Sequence, residues 1–310
     1  MRTLVSGASG FLGSALVARL HAEGHDVHRL VRSAPTGTDV LIDLDKRRVD
    51  DARLPGGLGA IDAVFHLMGE PIRPTRWGPS KRERLRSSRI ASTDLLARAL
   101  AQHGTPRSVL VCASAIGIYG DRGDEILDED SAGGEGFLAD LCRSWECAAD
   151  PARAAGVRVV HLRTGLVLGR GGGLLAAQLP AFRLGLGARL GSGQQWNSWI
   201  ALEDEIGAML HAMTCEQLSG PCNIVAPVPV RNRELTDAIA AAIQRRAFLA
   251  VPTVAIEAAI GRRNAHEFAL ASQRVLPKRL VATGFRYRAG ELEAALRLAI
   301  GEPSAGFGSR

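Results

Sequence analysis

Short apolar runs alternate with longer amphipathic segments through the first half of the chain. Short apolar runs between polar segments are typical of buried strands, and apolar residues at i, i+4 and i+8 are typical of helices. The sequence therefore predicts strands at 3–7, 26–31, 39–44, 62–68, 108–114, 157–163 and 222–226, and helices at 12–24, 81–103, 137–155 and 203–213. Strands that alternate with crossover helices indicate an α/β fold, a Rossmann-type doubly wound parallel sheet.

This alternation ends near Gly165, after which the chain changes in character. Segments 168–173 and 185–199 are rich in glycine and show no regular period. We therefore predict a Rossmann domain at 1–165, which the chain rejoins at about 200–226. The sequence further predicts a smaller substrate-side region at 166–300 and a flexible tail at 301–310.

A glycine-rich stretch, SGASGFLG, joins the first predicted strand to the first helix. In a dinucleotide-binding loop the first glycine permits a tight turn, the second lets the backbone approach the pyrophosphate, and the third lets the helix pack on the strand. The N–H groups at the start of the helix then face the phosphates. The sequence therefore predicts a bound dinucleotide. The predicted contacts, in this loop and after the fourth strand, are Gly7, Ser9, Gly10, Phe11, Leu12, Gly13, Leu67, Met68 and Gly69.

The residues after the second strand predict which dinucleotide is bound. An acidic residue there would bind the ribose hydroxyls of NAD(H), but this chain has Arg32 and Ser33. No carboxylate repels a 2′-phosphate, and arginine can bind one in a bidentate manner. We therefore expect NADP(H) to be preferred over NAD(H), with Asp43 as an adenine contact. The alternative is that Arg32 is a solvated surface residue.

Composition limits the kinds of partner. The chain of 310 residues has a net charge of +6, and arginine supplies 35 of its 38 basic residues. The arginines are dispersed, which argues against nucleic-acid binding and favours a small anionic ligand. Neither a long apolar span nor a signal-peptide pattern occurs, so we expect a cytoplasmic protein with no membrane partner. Five cysteines without a CxxC pair predict neither a disulfide framework nor a metal site.

Further motifs extend along nearly the whole chain: DAVFHLMG (62–69), GEPI (69–72), SRIAST (88–93), SAIGIYGDRGDE (114–125), FLADLCRSWE (137–146), LRTGLVLG (162–169), PAFRLGLG (180–187) and GSGQQWNSWI (191–200). With the glycine loop, they resemble the extended short-chain dehydrogenase/reductase superfamily. More narrowly, they resemble its atypical "epimerase family protein" subgroup, whose function is unsettled. The resemblance implies an NAD(P)-dependent oxidoreductase or epimerase. It also implies a homodimer formed through the helices at 82–103 and 137–155.

The superfamily implies a Ser/Tyr/Lys triad, in which the tyrosine transfers a proton while the nicotinamide exchanges hydride. In this chain the three positions fall on Ala115, Leu138 and Cys142. The two tyrosines, Tyr119 and Tyr287, are followed four residues later by glycine and glutamate, so no Tyr-x-x-x-Lys pattern occurs. The resemblance therefore implies a cofactor site without the usual proton-transfer residues.

Loops at the carboxyl ends of the strands offer replacements. Glu70 is a candidate general base with Arg76 binding an anionic group; alternatively, Glu70 and Arg76 pair only to order their loop. Tyr119, with Ser114 nearby, is either a proton donor or a packing and hydrogen-bonding residue beside the nicotinamide. His66 lies within an apolar strand and is interpreted as a core residue.

The candidate substrate pocket is formed by Arg76, Trp77, Arg163, Trp196 and Trp199. The tryptophans form either a pocket wall or part of the hydrophobic core. Two functions remain open. The first is an NADP(H)-dependent oxidoreductase or epimerase acting on a small anionic substrate, and the second is a non-catalytic NADP(H)-binding redox sensor or assembly factor.

Overall fold

The computed structural model describes residues 1–105 and 107–301, and an eight-stranded sheet forms its centre. The strands in chain order are β1 (Arg2–Ser6), β2 (Asp26–Val31), β3 (Val40–Asp43), β4 (Arg48–Asp50), β5 (Ala63–His66), β6 (Val109–Ala115), β7 (Ile126–Leu127), β8 (Arg158–Thr164), β9 (Leu166–Leu168), β10 (Ala188–Leu190), β11 (Trp196–Asn197), β12 (Trp199–Ala201), β13 (Gly220–Ile224), β14 (Val230–Arg231), β15 (Leu249–Val251) and β16 (Arg274–Val275). The sheet has the order β13-β8-β6-β5-β1-β2-β3-β4. Its β3–β4 pair is antiparallel and its other pairs are parallel. Most of the predicted tail, residues 302–310, lies outside the described residues.

Helices cover both faces of this sheet. They are α1 (Phe11–Ala22), α2 (Pro79–His103), α3 (Phe137–Cys147), α4 (Asp150–Ala154), α5 (Gly173–Arg183), α6 (Leu202–Thr214), α7 (Asn232–Ala242), α8 (Thr253–Ile260), α9 (Arg262–Asn264), α10 (Lys278–Ala282) and α11 (Leu292–Ile300). Apolar side chains of α1 and α6 pack on one face, and those of α2 and α4 pack on the other. This arrangement confirms the predicted α/β, doubly wound fold. Among the described residues, we find no helix that combines the length and hydropathy needed to span a bilayer.

Two elements differ from the sequence predictions. The helix predicted over 137–155 is two helices, because Pro151 has no N–H with which to continue the bonding of α3. Pro151 instead lies in the first turn of α4, where the missing N–H has no intrahelical partner to lose. The short strand β4, which was not predicted, extends the far edge of the sheet.

Side chains bind the backbone at the open edge of the main sheet, on β13. Glu129 Oε1 accepts the backbone N–H of Asn223 at 2.9 Å. Two residues earlier on the same strand, the carbonyl of Pro221 accepts from Arg279 Nη1 at 3.2 Å. The backbone N–H of Arg279 also donates to Glu129 Oε1, at 3.2 Å. An edge strand otherwise presents such groups to solvent or to another chain.

The C-terminal region adds three two-stranded ladders, β12–β9, β10–β15 and β11–β14, and a core centred on α7 and α11. The loop at 70–78 provides two of its contacts with the first half. Asn264 Nδ2 donates to the carbonyl of Thr75 at 2.9 Å, and Arg76 Nη2 donates to the carbonyl of Ala258 at 2.6 Å. These contacts position the region 253–273 above the carboxyl ends of the central strands.

Candidate functional site

A cleft of about 470 Å³ opens where β1 and β5 end. From β1 the chain adds β2, β3 and β4 on one side of the sheet and β5, β6, β8 and β13 on the other, so the strand order reverses between β1 and β5. Ligands of doubly wound sheets bind at this switch point. The cleft is lined by residues from the glycine loop, the end of β2 and the end of β5, together with one residue after β3 and one in α2: Gly7, Ala8, Ser9, Gly10, Arg29, Leu30, Val31, Arg32, Ser33, Leu67, Met68, Gly69, Glu70, Pro71, Leu44 and Ser88. Of the predicted contacts, the lining includes Gly7, Ser9, Gly10, Arg32, Ser33, Leu67, Met68 and Gly69, but not Phe11, Leu12, Gly13 or Asp43.

The glycine loop has the geometry that its sequence predicts. Gly7 has φ +68°, and a Cβ there would lie 3.1 Å from the carbonyl carbon of Leu67. A Cβ on Gly13 would lie 2.1 Å from the carbonyl oxygen of Gly7, so only glycine lets α1 approach the loop this closely. Ser6 Oγ joins the two strand ends, because it accepts the backbone N–H groups of Leu67 at 2.9 Å and Met68 at 3.2 Å.

Phe11, one of the predicted loop contacts, does not line the cleft but packs against the glycine-rich segment 169–173. A Cβ on Gly172 would lie 2.2 Å from the Phe11 ring, and one on Gly173 would lie 3.2 Å from it. Leu12 packs against the core beneath the sheet. The glycines of LGRGGG therefore let the Phe11 ring, at the first residue of α1, pack directly against the backbone of this segment.

The end of β2 carries two arginines in different states. Arg29, which sequence reasoning missed, forms a bidentate ion pair with Asp39, with Nη2–Oδ2 at 2.7 Å and Nε–Oδ1 at 2.9 Å. Arg32 is exposed, lines the cleft and has no carboxylate within 4.0 Å among the described residues. Asp43 bonds the backbone N–H groups of Asp45 and Lys46, so its carboxylate orders the β3–β4 turn.

His66 is fully buried between β1 and α2. Its ring nitrogens lie 3.0 Å from Ser6 Oγ and 3.1 Å from Ser92 Oγ. Burial lowers the pKa of His66 to about 4, so the ring is neutral at pH 7. His66 therefore ties β5 to its neighbours, as the sequence interpretation of a core histidine proposes.

Tyr119 is fully buried, and its hydroxyl is held on both sides. Tyr119 Oη donates to Asn223 Oδ1 at 2.7 Å and accepts from Arg163 Nη1 at 3.0 Å. Burial raises the pKa of the tyrosine above its ordinary value. Tyr287, the second tyrosine, donates to the carbonyl of Val225 at 2.7 Å. The geometry therefore argues for a structural role of Tyr119, beside the cleft rather than in it.

Arg163 and Ser114 belong to the same buried network. Arg163 binds both oxygens of Glu146 at 2.9 Å, and Ser114 Oγ donates to Glu146 Oε1 at 2.7 Å. Burial opposes ionisation of Glu146, but the hydrogen bonds and charge of Arg163 outweigh it and keep the pKa of this carboxyl below its ordinary value. The charge of Arg163 is thus neutralised within the protein, and the Ser114 hydroxyl is bound to an acceptor.

The loop after β5 separates the two residues that were predicted to act together. Glu70 Oε1 accepts from Lys81 Nζ at 2.7 Å and lies 3.7 Å from Arg84, whereas Arg76 binds the carbonyl of Ala258. The hydrogen bond from Lys81 keeps the pKa of Glu70 below its ordinary value. Glu70 is thus an ionised, paired carboxylate at the rim of the cleft. Its partner is Lys81, not Arg76.

The three predicted pocket tryptophans lie in three different environments. Trp77 packs against Phe137 and Phe268, with ring centroids 6.1 and 6.0 Å apart. Trp199 is part of the C-terminal core, and its Nε1 donates to the carbonyl of Val228. Trp196 Nε1 donates to Asp124, and the guanidinium groups of Arg231 and Arg274 lie 4.0 and 4.5 Å from its ring. They do not form one wall.

Arg89 is the main cleft-side residue that the sequence reasoning missed. It is 8% exposed, and a Cβ on Gly69 would lie 3.1 Å from its guanidinium carbon. Its Nε has no hydrogen-bond partner among the described residues, and Nη1 makes one contact at 3.4 Å with the carbonyl of Leu85. Burial lowers the pKa of Arg89, which marks a desolvated cation without a carboxylate. The arginine-rich run KRERLRSSR was the available signal.

The three positions that the resemblance assigns to the triad lie at the end of β6, for Ala115, and in α3, for Leu138 and Cys142. The Leu138 Cβ lies 3.7 Å from where a Cβ on Gly117 would be, and Cys142 adjoins Ala115. Burial raises the pKa of Cys142 to about 12, so its thiol is protonated at neutral pH. None of these three side chains can transfer a proton at neutral pH.

A buried carboxyl at the end of β8 should make stability depend on pH. Glu205 Oε1 accepts from Thr164 Oγ1 at 2.8 Å, and Oε2 has no partner among the described residues. Burial raises the pKa of Glu205 to about 8, well above the value of about 4.3 in an unfolded chain. Its contribution to stability is fully present below about pH 4 and is lost as the pH rises through about 8. We expect the free energy of unfolding of Glu205→Gln to fall less steeply than wild type between pH 5 and 8, measured by urea denaturation. Parallel curves would contradict this.

Comparison with known proteins places this architecture in a family. A family model described as "NAD dependent epimerase/dehydratase family" matches residues 3–224. The chain belongs to this family. A second model, "Domain of unknown function (DUF1731)", matches residues 251–299. This part of the chain contacts the loop at 70–78. The predicted resemblance is therefore confirmed.

Relatives within the epimerase/dehydratase family match this chain along nearly its full length. "Epimerase family protein Mb2239" of Mycobacterium bovis is 43% identical over 96% of this chain and 97% of the relative. "Epimerase family protein SDR39U1" of Homo sapiens is 38% identical over 96% and 99%. The crystal structure of that human protein with NADPH has a TM-score of 0.84 at 36% identity, covering 96% of this chain and 99% of that one. The human protein is thus bound to NADPH in that structure.

Proposed function

We propose that this chain is an NADP(H)-dependent oxidoreductase or epimerase that acts on a small anionic molecule without a tyrosine acid. The observation that carries the proposal is Arg32, an exposed cation at the end of β2 that lines the cleft and forms no ion pair with any residue that the structure describes. It stands where a 2′-phosphate would be recognised. The NADPH in the human relative supports the same preference.

The cleft residues fit the cofactor in two further respects. The backbone around Gly7 and Gly10 forms a cradle for a pyrophosphate, and side chains at Gly7 or Gly13 would clash with the backbone that shapes it. Arg89, buried beneath Gly69 with an unpaired Nε, provides a cation for a phosphate or for ribose hydroxyls. When bound, the nicotinamide supplies the exchange of a hydride. Ala115, Leu138 and Cys142 would exclude water from that end.

The cofactor preference can be tested directly. We expect Arg32→Gln to raise the Kd for NADPH about tenfold, because a charge-assisted contact contributes about 1.5 kcal/mol. The Kd for NADH should change less than about twofold. Titration by nicotinamide fluorescence measures both, with Arg53→Gln, an exposed arginine that does not line the cleft, as the charge-matched control. Wild type binding NADH as tightly as NADPH would refute the preference.

A second candidate function is a non-catalytic NADP(H)-binding sensor or assembly factor. It is favoured by the bound hydroxyls of Tyr119 and Tyr287 and by the pairing of Glu70 with Lys81. Transfer of deuterium from 4-deuterated NADPH to a carbonyl compound bearing a carboxylate or phosphate would support the enzyme. If NADPH binds tightly but no deuterium is transferred to any of a series of such carbonyl compounds, the result would support the sensor.

A further inference from the structure

Three arginines on one side of α2 form a stripe that the proposed cofactor contacts do not fully use. Arg82, Arg86 and Arg89 are spaced by four and three residues, so they lie on one face of the helix. At 1.5 Å per residue the stripe is about 10 Å long. It faces α3: the guanidinium carbons of Arg82 and Arg86 lie 5.0 and 5.3 Å from the Phe137 ring centroid, and that of Arg89 lies 5.1 Å from the Trp145 ring.

The positive charge of this stripe is not neutralised by the protein. Among the described residues, no carboxylate lies within 4.0 Å of Arg82, Arg86 or Arg89. Arg82 has a marginal contact of 3.5 Å with Asn264 Oδ1. Arg82 and Arg86 are half-buried and Arg89 is buried, so water solvates these cations only in part. Partly desolvated arginines stacked on aromatic rings are typical of sites for carboxylates and phosphates.

The surrounding carboxylates are engaged elsewhere. Glu70 pairs with Lys81, and Asp140 pairs with Arg143. Glu267 Oε2 accepts the backbone N–H of Leu138 at 3.1 Å, and its other oxygen lies 3.9 Å from Arg263. Residues 1–105 and 107–301 therefore offer the stripe no anion at the distance of an ion pair.

The stripe extends from the cofactor cleft outward, toward the C-terminal region. Arg89 lies beneath Gly69, which lines the cofactor cleft. Because α2 runs antiparallel to the strands of the sheet, Arg86 and Arg82 lie progressively further above the carboxyl edge. There they approach Phe137, at the start of α3, and Asn264 of the C-terminal region. An anionic molecule bound beside Arg89 would need to extend up to about 10 Å along α2 to reach Arg82.

We propose that Arg82 and Arg86 bind the oxyanion of the substrate, a phosphate or a carboxylate, at the outer end of the cleft. The inference rests on the proposed function and assigns the substrate's anionic group to these two residues. It replaces the sequence prediction for this role, because Arg76 is bound to Ala258 and Arg163 is paired with Glu146. Within the described part of the chain, neither Arg82 nor Arg86 has a carboxylate partner.

The test uses the full chain saturated with NADPH and titrated calorimetrically, at constant ionic strength, with inorganic phosphate and separately with malonate. We expect at least one of the two probes to bind wild type, and the double variant Arg82→Gln/Arg86→Gln to bind it at least about tenfold more weakly. Binding of phosphate alone would assign a phosphorylated substrate; binding of malonate alone would assign a carboxylate. The Kd for NADPH should change by less than about twofold.

The matched control is Arg53→Gln/Arg98→Gln, which removes the same charge from exposed residues that do not line the cleft. Equal loss of probe binding in this control would overturn the proposal in favour of general electrostatic attraction. So would probe binding that survives in the Arg82/Arg86 variant, or no binding of either probe to wild type. A parallel loss of NADPH affinity would reassign the arginines to the cofactor. Failure of wild type to bind NADPH at all would refute the proposed function instead.

Discussion

Arg163→Met is expected to lower the free energy of unfolding by about 3–5 kcal/mol, because it leaves a buried carboxylate without its counter-charge. The side chains of Arg163 and Glu146 are 10% and 12% exposed, and both oxygens of Glu146 are bound by the guanidinium. In the variant, Ser114 would remain as a hydrogen-bond donor to Glu146, and Tyr119 would lose the donor to its hydroxyl. Urea denaturation at pH 7 measures the loss.

The control for this prediction removes both charges. Arg163→Met/Glu146→Leu should recover part of the stability lost in the single variant, because no ionised group is then left without a partner. A single variant within about 1 kcal/mol of wild type would show that water reaches Glu146 and would contradict the buried network.

Gly13→Ala is expected to weaken NADPH binding by about 10- to 100-fold, corresponding to overpacking strain of about 1–3 kcal/mol. The added Cβ would lie 2.1 Å from the carbonyl oxygen of Gly7, a backbone atom that cannot rotate away. Either α1 or the glycine loop must therefore move. Nicotinamide fluorescence measures the affinity, and thermal unfolding separates a local shift from a loss of folding.

Gly78→Ala provides the matched control for this substitution. Gly78 has φ −75°, which any residue can adopt, and no atom lies within 4 Å of an added Cβ. The control should bind NADPH as wild type does. If Gly13→Ala also bound normally, close packing of α1 on the loop would not be a requirement of the cofactor site.

The features that the sequence predicted well are those encoded by neighbouring residues. The glycine loop needs only the order strand, glycines and helix over residues 3–24, and its geometry follows directly from that order. The carboxyl ends of parallel strands meet at one edge, so the loop after β5 could be placed beside it. The strand predicted at 108–114 ends within one residue of β6, at whose end lies Ala115, the position that the resemblance assigns to the serine.

The features that sequence reasoning missed depend on distant partners. The sequence left Tyr119 as a candidate proton donor. The partners that bind its hydroxyl, Arg163 and Asn223, lie 44 and 104 residues further along the chain, so neighbouring residues could not indicate them. Arg76 does not pair with Glu70, because its guanidinium donates to the carbonyl of Ala258, which is 182 residues away in the sequence. Arg89 reads as one of many surface arginines until α3 covers it. Periodicity gives the face of a helix, but not the element that packs against that face.

The side-chain bonds of Glu129 and Arg279 to β13 have a consequence for assembly. Two copies of a sheet protein can join by pairing their outermost strands into one continuous sheet. Here the N–H of Asn223 and the carbonyl of Pro221 are already bound within the chain, and β4 closes the opposite edge as a strand of only three residues. Neither border offers a long template for strand addition. The predicted homodimer, if formed, would have to associate through helix surfaces, and the same closed borders should protect the folded protein against fibril-like aggregation.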